Sequence, residues 1–227
     1  MIQVAIVGYG KMGRMIESLA PQYGIGISHR LDVGWTAADL AERPDAAIEF
    51  STPEAAVANL EALAALKIPV VCGTTGWMTE LDRVRRAVEA AGSALVYSAN
   101  YSIGVNVFQR LAAEAARLLK DQDLYEAWAW EIHHSAKKDA PSGTLHQLTA
   151  AMKSAGYARR IDESSNRAGA HPGTHEIGFD SAADTITLRH TARSREGFAR
   201  GALKAAQWIK GRQGVHAFAD VLFGNAD

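Results

Sequence analysis

The sequence is poor in several features, and each absence narrows its function. Cys72 is the single cysteine among 227 residues, so no internal disulfide can form. Lys and Arg number 24 against 25 Asp and Glu, which leaves no basic field that would gather nucleic acid or an anionic membrane. No apolar run reaches the roughly 18 residues of a membrane span. The amino-terminal residues also lack the pattern of a signal peptide. We therefore expect a cytoplasmic protein that acts on a small molecule, without nucleic acid or membrane partners.

Up to about residue 100, short β-branched runs alternate with Ala-rich helical stretches. This alternation predicts an α/β fold, a Rossmann-type doubly wound parallel sheet with crossover helices. The predicted strands are Ile2–Val7, Ile25–Leu31, Ala46–Phe50, Pro69–Cys72 and Ala94–Tyr97. The predicted helices are Lys11–Ala20, Pro53–Leu66 and Thr79–Ala91.

The pattern changes near Asn100, which indicates a second, smaller α+β domain for substrate binding and oligomerisation. We predict this domain at 101–190 and the dinucleotide-binding domain at 1–100 plus 191–227. The predicted elements of the second domain are a helix over Val105–Leu119, a strand over Leu124–His134, a helix over Leu145–Ser154, a loop over Glu163–Thr174, and strands His175–Phe179 and Thr185–His190. A last helix over Ser194–Lys210, with Phe198, Ala202, Ala205 and Ile209 on one face, should pack on the first domain.

A glycine-rich loop follows the first strand directly and opens a helix. Its cofactor-binding candidates are Gly8, Gly10, Lys11, Met12 and Gly13. The three glycines would permit a tight turn, a close approach of pyrophosphate to the backbone, and close helix–sheet packing. The helix N-terminus would then face the phosphates. The alternative is a tight strand–helix turn that binds nothing. The context favours a nicotinamide dinucleotide.

Asp32 lies at the end of the second predicted strand, where an acidic side chain can accept hydrogen bonds from the ribose hydroxyls. A carboxylate there would repel the 2′-phosphate of NADPH, so we favour NADH and keep NADPH as the second choice. Arg30 argues the other way, because strand alternation puts it on the same side as Asp32. Asp32 could instead be only a turn residue.

A second glycine cluster, Gly73, Thr74, Thr75 and Gly76, follows the fourth strand at the sheet edge where ligands bind in α/β folds. Its hydroxyls and amides could hold the nicotinamide ribose or carboxamide. The Ser51–Thr52 pair after the third strand could serve the ligand or simply cap the next helix. Cys72 is interpreted as a small core residue.

The segment Glu131–Thr144, EIHHSAKKDAPSGT, gathers the residue types that chemistry needs. A histidine can donate a proton near neutrality, and Lys137 can stabilise negative charge or hold a carboxylate. Ser142, Gly143 and Thr144 offer amides and hydroxyls at a helix start, which is an anion site. Asp139 is predicted to cap this helix or to fix Lys138.

Two other interpretations of this segment are weaker. Its histidines and lysines could be ordinary surface residues beside an ordinary helix start. A zinc site lacks a Cys cluster and a second His at helical spacing, so we expect no metal. Because alternate strand residues point to opposite faces, only one of His133 and His134 is expected to be the acid.

Seven motifs resemble the 4-hydroxy-tetrahydrodipicolinate reductase family, also called dihydrodipicolinate reductase, over nearly the whole chain. They are GYGKMGR, FSTPE, CGTTGW, SANYSIGVN, HHSAKKDAPSGT, RAGAHPGTHEI and ARSREGFARGALKAA. The resemblance implies hydride transfer from NAD(P)H to a cyclic unsaturated dicarboxylate, giving tetrahydrodipicolinate in diaminopimelate and lysine biosynthesis. It also implies a homotetramer assembled through the sheet of the substrate domain.

By the same resemblance, His133 is the general acid and Lys137 its partner in charge stabilisation. The substrate carboxylates would be held by His134, Lys137, Ser142, Gly143 and Thr144. Gly73, Thr75 and Asn100 would line the nicotinamide side. Val33 departs from the family, because a basic residue often follows the acidic cofactor residue, and this weakens dual cofactor use.

Two other functions stay open at this point. A related NAD(P)-dependent amino-acid dehydrogenase would share the architecture but act on another small carboxylate. A regulator that senses NAD(H) without turnover would need no proton donor, and the sequence shows no pair of DNA-binding helices.

Overall fold

The structure of the protein, a computed structural model, describes residues 1–40 and 42–224. It contains two compact units, one made of Met1–Ser102 with the described residues from Phe198 onward, the other of Ile103–Gly197. The predicted domain ranges stay a prediction, and their last residues, 225–227, lie outside the described residues. In chain order the strands and helices are β1 (Ile2–Val7), α1 (Lys11–Leu19), β2 (Ile25–Leu31), β3 (Ala46–Glu49), α2 (Pro53–Ala65), β4 (Val70–Cys72), α3 (Leu81–Ala90), β5 (Ala94–Tyr97), α4 (Ile103–Leu119), β6 (Glu126–His133), α5 (Gly143–Ser154), β7 (Ile161–Arg167), β8 (Thr174–Asp180), β9 (Thr185–Thr191), α6 (Glu196–Ile209), β10 (Gly214–Ala217) and α7 (Phe218–Phe223).

The first unit is built on a six-stranded sheet in the order β10-β5-β4-β3-β1-β2. Every neighbouring pair of these strands is parallel. Strands β1, β3, β4 and β5 are almost wholly buried, as parallel strands covered by helices on both faces must be. The strand order reverses between β1 and β3, so the crevice for a ligand is expected outside the carboxyl ends of these two strands.

The predicted parallel sheet is confirmed, and its elements end within a residue or two of the predicted bounds. Strand β10, with four residues, and helix α7, with six, were not predicted, because segments this short show no clear period. In α6, Ala202, Ala205 and Ile209 are fully buried as predicted, whereas Phe198 is only half-buried. A Cβ at Gly201 would lie 1.8 Å from the Tyr101 carbonyl oxygen, so this helix packs on the unit at backbone contact.

The second unit is a four-stranded sheet in the order β7-β6-β8-β9, with α4 and α5 packed on one face. Strands β6 and β7 are parallel, and the other two pairs are antiparallel. The core contains Phe108, Ala112 and Ala116 of α4, Leu145, Leu148 and Met152 of α5, and Ala127 and Ala129 of β6. These contacts explain why β6 alternates buried and half-buried residues along its length.

The loop predicted over Glu163–Thr174 is wrong in its first part, because Ile161–Arg167 forms strand β7. Its sequence IDESSNR is polar, which is typical of a loop. At the edge of a sheet, however, exposed side chains need not be apolar, and Asp162, Glu163 and Ser164 are all exposed. This correction matters because β7 carries two side chains of the candidate site.

Candidate active site

The glycine loop of the first unit has the backbone geometry of a phosphate cradle. Gly8 has a φ of +90°, and a Cβ there would lie 2.2 Å from the Phe50 carbonyl oxygen. A Cβ at Gly13 would lie 2.7 Å from the Gly8 carbonyl oxygen, so α1 begins in close contact with the loop. Gly10 is the N-cap of α1, and an added Cβ there would touch none of the described residues within 4 Å. Gly10 therefore faces open space in which a pyrophosphate could approach the backbone.

A cavity of about 300 Å³ opens beside this loop, at the point where the strand order reverses. Gly8, Gly10 and Asp32 line it, as do the segments that follow β2 and β3. The predicted cofactor residues Gly8, Gly10 and Asp32 are thus brought together on one surface. The open cradle, the helix start and the carboxylate fit a dinucleotide.

Asp32 lines the cavity and also accepts hydrogen bonds within its own turn. Its Oδ1 accepts a hydrogen bond from the Val33 amide at 3.1 Å, and its carbonyl oxygen accepts one from Trp35 at 3.3 Å. Arg30, the counter-argument to NADH, is ion-paired with Glu17, whose Oε1 accepts from Arg30 Nε at 3.0 Å. The hydrogen bond from Arg30 lowers the pKa of Glu17. The cation of Arg30 is therefore partly neutralised, and the Asp32 carboxylate remains at the cavity.

In the second glycine cluster, Gly73 and Thr74 pack against other parts of the first unit, whereas Thr75 is exposed. A Cβ at Gly73 would overlap the Phe50 ring at 2.1 Å, which explains the glycine by packing alone. Thr74 is buried, and its hydroxyl accepts a hydrogen bond from the Ser51 amide at 2.8 Å. Thr75 is exposed, and Asn100 follows β5 at the same edge of the sheet. Thr74 thus ties two strand ends together, while Thr75 is accessible to a ligand.

Glu49, at the end of β3, is a buried carboxylate that sequence patterns did not single out. It accepts hydrogen bonds from the Ser51 amide at 3.1 Å and from the Cys72 thiol at 3.2 Å. Burial raises the pKa of the Cys72 thiol, and the neighbouring carboxylate adds to this effect. Cys72 is therefore a neutral core residue, as predicted.

In the second unit, one face of β6 changes from apolar to polar toward its carboxyl end. Ala127 and Ala129 lie in the core, and Glu131 and His133 continue the same face because side chains alternate along a strand. Glu131 is completely buried and His133 is 9% exposed. The adjacent strands present Ser165 opposite Glu131, Arg167 opposite His133, and His175 opposite Glu131.

Glu131 is the centre of this polar cluster. Its Oε1 accepts hydrogen bonds from the Ser142 amide at 2.8 Å, the Ser165 hydroxyl at 2.9 Å and the Arg167 guanidinium at 2.8 Å. Its Oε2 lies 3.4 Å from His133 Nδ1 and 3.2 Å from His175 Nε2. Burial alone would raise the pKa of Glu131, but these hydrogen bonds outweigh it and lower the pKa to about 2. The carboxylate is therefore ionised at any physiological pH.

Both histidines of the cluster titrate below their usual range. Burial lowers the pKa of His133, Glu131 opposes that change, and Lys137 and Arg167 reinforce it. Burial and the neighbouring His133 lower the pKa of His175 to about 4. Without a ligand, both imidazoles are therefore mainly neutral near pH 7.

The predicted anion site at the start of α5 begins at Ser142. The Ser142 hydroxyl accepts a hydrogen bond from the Leu145 amide at 3.2 Å and lies 3.1 Å from His175 Nε2. Ser142 is buried, Gly143 is exposed and Thr144 is half-buried. The prediction that Asp139 caps this helix or fixes Lys138 is wrong, because Ser142 is the N-cap. Asp139 instead accepts a hydrogen bond at 2.8 Å from the ammonium of Lys137, two positions earlier in the chain.

His134 follows the end of β6 and is half-buried. Sequence reasoning missed Ser165, Arg167 and His175, which reach the site from β7 and β8. Arg167 and His175 do fall within the RAGAHPGTHEI motif. The donor atoms of Glu131, His133 and His175 lie within 4.8 Å of one another, a spacing that a metal ion could use. The Arg167 guanidinium on the same carboxylate opposes a second cation.

A doubly wound sheet with a glycine loop, joined in one chain to a unit with buried histidines and a capped helix start, is typical of nicotinamide-dependent reductases. Models of the "Dihydrodipicolinate reductase, N-terminus" and "Dihydrodipicolinate reductase, C-terminus" families match residues 2–101 and 104–222. The chain belongs to the dihydrodipicolinate reductase family. This confirms the predicted reductase activity with a nicotinamide cofactor and a small-molecule substrate, in lysine and diaminopimelate biosynthesis.

Curated relatives agree with this assignment, and a solved structure shares the fold. The 4-hydroxy-tetrahydrodipicolinate reductase of Christiangramia forsetii is 36% identical over an alignment of 233 positions, which covers 97% of this chain and 98% of that protein. The enzyme of the same name from Thiobacillus denitrificans is 35% identical, with 97% and 98% covered. The fold is similar to dipicolinate-bound dihydrodipicolinate reductase from Paenisporosarcina sp. TG-14, at a TM-score of 0.83 and 19% identity, with 96% of this chain and 97% of that chain covered.

Of the described helices, none is long and apolar enough to cross a membrane.

Proposed function

We propose that the polar face of the second unit carries the chemistry of the reduction, with His133 as the general acid and Lys137 as the charge-stabilising partner. The observation that carries this proposal is the buried contact between Glu131 and His133, next to the helix start at Ser142. The substrate would be a cyclic unsaturated dicarboxylate, and the product tetrahydrodipicolinate. His134, Lys137, Ser142, Gly143 and Thr144 would bind the two carboxylates.

When bound, the nicotinamide supplies a hydride to the unsaturated ring. The electron pair displaced within the substrate is then taken up with one proton from Nε2 of protonated His133, which becomes neutral imidazole. Two substrate carboxylates would raise the pKa of His133, because nearby negative charge favours the imidazolium. Lys137 would stabilise negative charge that develops on the ring before protonation. Gly8, Gly10, Lys11, Met12, Gly13 and Asp32 would hold the dinucleotide, and Gly73, Thr74, Thr75 and Asn100 would line its nicotinamide end.

The activity is tested by following the fall in NADH absorbance. The substrate is produced in the same reaction mixture by the synthase that precedes this step of the pathway. We expect oxidation of NADH that depends on the synthase product, and no reduction of NAD⁺ when an amino acid or a diamine is the substrate. Reduction of NAD⁺ with an amino acid as the substrate would indicate the related dehydrogenase instead. Binding of NADH without turnover would indicate a regulator.

For the cofactor, we propose a preference for NADH that Asp32 enforces. A carboxylate at the ribose repels a 2′-phosphate, and Arg30 is engaged by Glu17. Replacing Asp32 with Ser should raise kcat/KM for NADPH relative to NADH by about 10-fold, which corresponds to about 1.4 kcal/mol. The control is Asp82→Asn on the exposed surface of α3, which should leave the ratio unchanged. Equal efficiency of the wild-type protein with both cofactors would contradict the proposal.

A homotetramer assembled through the sheet of the second unit is also proposed. The sheet face opposite α4 and α5 carries Trp128 and Trp130, large side chains that suit an interface. Sedimentation velocity should give the mass of four chains, and a monomer would contradict this.

The expectations of a cytoplasmic location, no metal and no nucleic acid partner stay predictions. Metal analysis of the purified protein tests the second of these.

A further inference from the structure

We propose that Glu131 is the positioning residue of the site, because its carboxylate, ion-paired with Arg167, holds the His133 imidazole and the Ser142 amide in one buried network. This inference rests on the proposed function, in which His133 is the acid and Ser142 begins the carboxylate site. Glu131 itself is completely buried, so it offers no exposed surface to a substrate.

The two carboxylate oxygens of Glu131 contact different partners. Oε1 receives three hydrogen bonds, from Ser142, Ser165 and Arg167, which fix the plane of the carboxylate. Oε2 and His133 Nδ1 are two buried atoms for which the described residues provide no hydrogen-bond partner within standard geometry. These two atoms face each other at 3.4 Å. Oε2 also lies 3.2 Å from His175 Nε2, but for His133 Nδ1 it is the facing acceptor, and a small movement of the ring would form that bond.

This arrangement selects which nitrogen of His133 can deliver a proton. If Nδ1 donates to Glu131, the labile proton of the imidazolium is on Nε2. Nε2 points toward Gly173, where an added Cβ would lie 2.9 Å from it. A glycine at this place therefore leaves the delivering nitrogen uncovered. The same division of roles between a buried carboxylate and the two imidazole nitrogens operates in Ser-His-Asp triads.

The network also couples the acid to the carboxylate site. Ser142 N–H is bound by Oε1 while Oε2 faces His133, so one side chain sets the position of both. His175 contacts both parts of the network, since its Nε2 lies 3.2 Å from Oε2 and 3.1 Å from the Ser142 hydroxyl. Arg167 keeps the carboxylate ionised from the neighbouring strand. Partners that orient the ligands of metal sites change activity about 10- to 100-fold when they are replaced, and we expect an effect of similar size for Glu131.

The charged and titratable groups around His133 are Glu131, Lys137, Arg167, Asp139 and His175. Among them, Glu131 and Asp139 favour the imidazolium, whereas Lys137 and Arg167 disfavour it. Replacing Glu131 with glutamine removes the nearer anion. The pKa of His133 would then be lower, and the imidazolium would be lost at a lower pH. The fall of kcat with rising pH should therefore begin at a lower pH.

The first test is the activity of Glu131→Gln. We expect kcat to fall about 10- to 100-fold near pH 7.5, with the alkaline fall of the pH profile moved to lower pH and the KM for NADH changed less than about two-fold. Glu131→Asp keeps the charge and should recover part of kcat. The matched control is Glu114→Gln, which removes the same charge from an Arg-paired glutamate on the exposed surface of α4. It should leave kcat and the pH profile as in the wild type.

A second measurement does not depend on a variant that folds. Imidazole ¹⁵N NMR of the wild-type protein should show that neutral His133 carries its proton on Nδ1. A proton on Nε2 would overturn the proposal, as would a folded Glu131→Gln with the wild-type kcat and pH profile. Stoichiometric metal in active protein, with activity lost on chelation, would make Glu131 a ligand and also overturn it. Full activity of His133→Ala, in contrast, would refute the proposed acid and thereby the proposed function.

Discussion

Replacing His133 with alanine should lower kcat for NADH oxidation by about 10²- to 10⁴-fold, the usual contribution of a general acid. The physical reason is that protonation of the displaced electron pair would then depend on water, which is not held at the substrate. NADH binding should change little, because the proposed dinucleotide residues are carried by the strands and loops of the first unit. The measurement is a steady-state assay with saturating NADH, together with the Kd for NADH.

The matched control for this variant is His146→Ala, which removes an exposed imidazole from α5, the helix that begins at Gly143. It should retain the wild-type kcat and melting temperature. If His133→Ala and His146→Ala have the same activity, the acid lies elsewhere, and His134 is the next residue to replace. A parallel loss of kcat and of the native circular dichroism spectrum in His133→Ala would indicate a folding defect, so the spectrum is recorded for both variants.

The first unit could be predicted from sequence almost completely, because its signals are local. An apolar strand, three spaced glycines and a helix follow one another between Ile2 and Leu19, and each depends only on its neighbours in the chain. The same holds for the segment Glu131–Thr144, whose residue types indicate chemistry before any contact is known. Among the described strands and α-helices of this unit, β10 and α7, which are short and have no clear period, escaped prediction.

The rest of the candidate site could not be predicted, because it depends on strand register. Glu131 meets Ser165 and His175 only after β6 pairs with β7 on one side and β8 on the other. Interpreting Glu163–Arg167 as part of a loop removed β7, and with it Arg167, which donates a hydrogen bond to Glu131. Likewise, the pairing of Arg30 with Glu17 joins a strand to a helix, and it reduces the weight of Arg30 as an argument for NADPH.

Substitution of the loop glycines should separate cofactor binding from folding. At Gly10 the backbone is extended, with a φ of −84° and a ψ of −152°, and an added Cβ would meet no described atom within 4 Å. Gly10→Ala should therefore fold with wild-type stability. A methyl group at the approach of the pyrophosphate should cost about 1–3 kcal/mol of binding, so the Kd for NADH rises about 5- to 150-fold. Calorimetric titration with NADH measures this directly.

Gly8→Ala should fail in a different way. At this position φ is +90° and the new Cβ would lie 2.2 Å from the Phe50 carbonyl oxygen, so the loop between β1 and α1 must move. We expect both a lower melting temperature and a lower affinity for NADH. Gly24→Ala is the control for backbone strain alone, since its φ is +64° and an added Cβ would meet none of the described residues within 4 Å.

The three variants together decide between a phosphate cradle and a simple tight turn. A cradle requires that Gly10→Ala weakens NADH binding while Gly24→Ala does not, although strain makes Gly24→Ala the less stable of the two. A turn without a ligand role predicts that affinity follows stability, so Gly10→Ala would bind NADH like the wild type. Because Gly10 makes no demand on the fold, any loss of affinity there measures the closeness of the cofactor to the backbone.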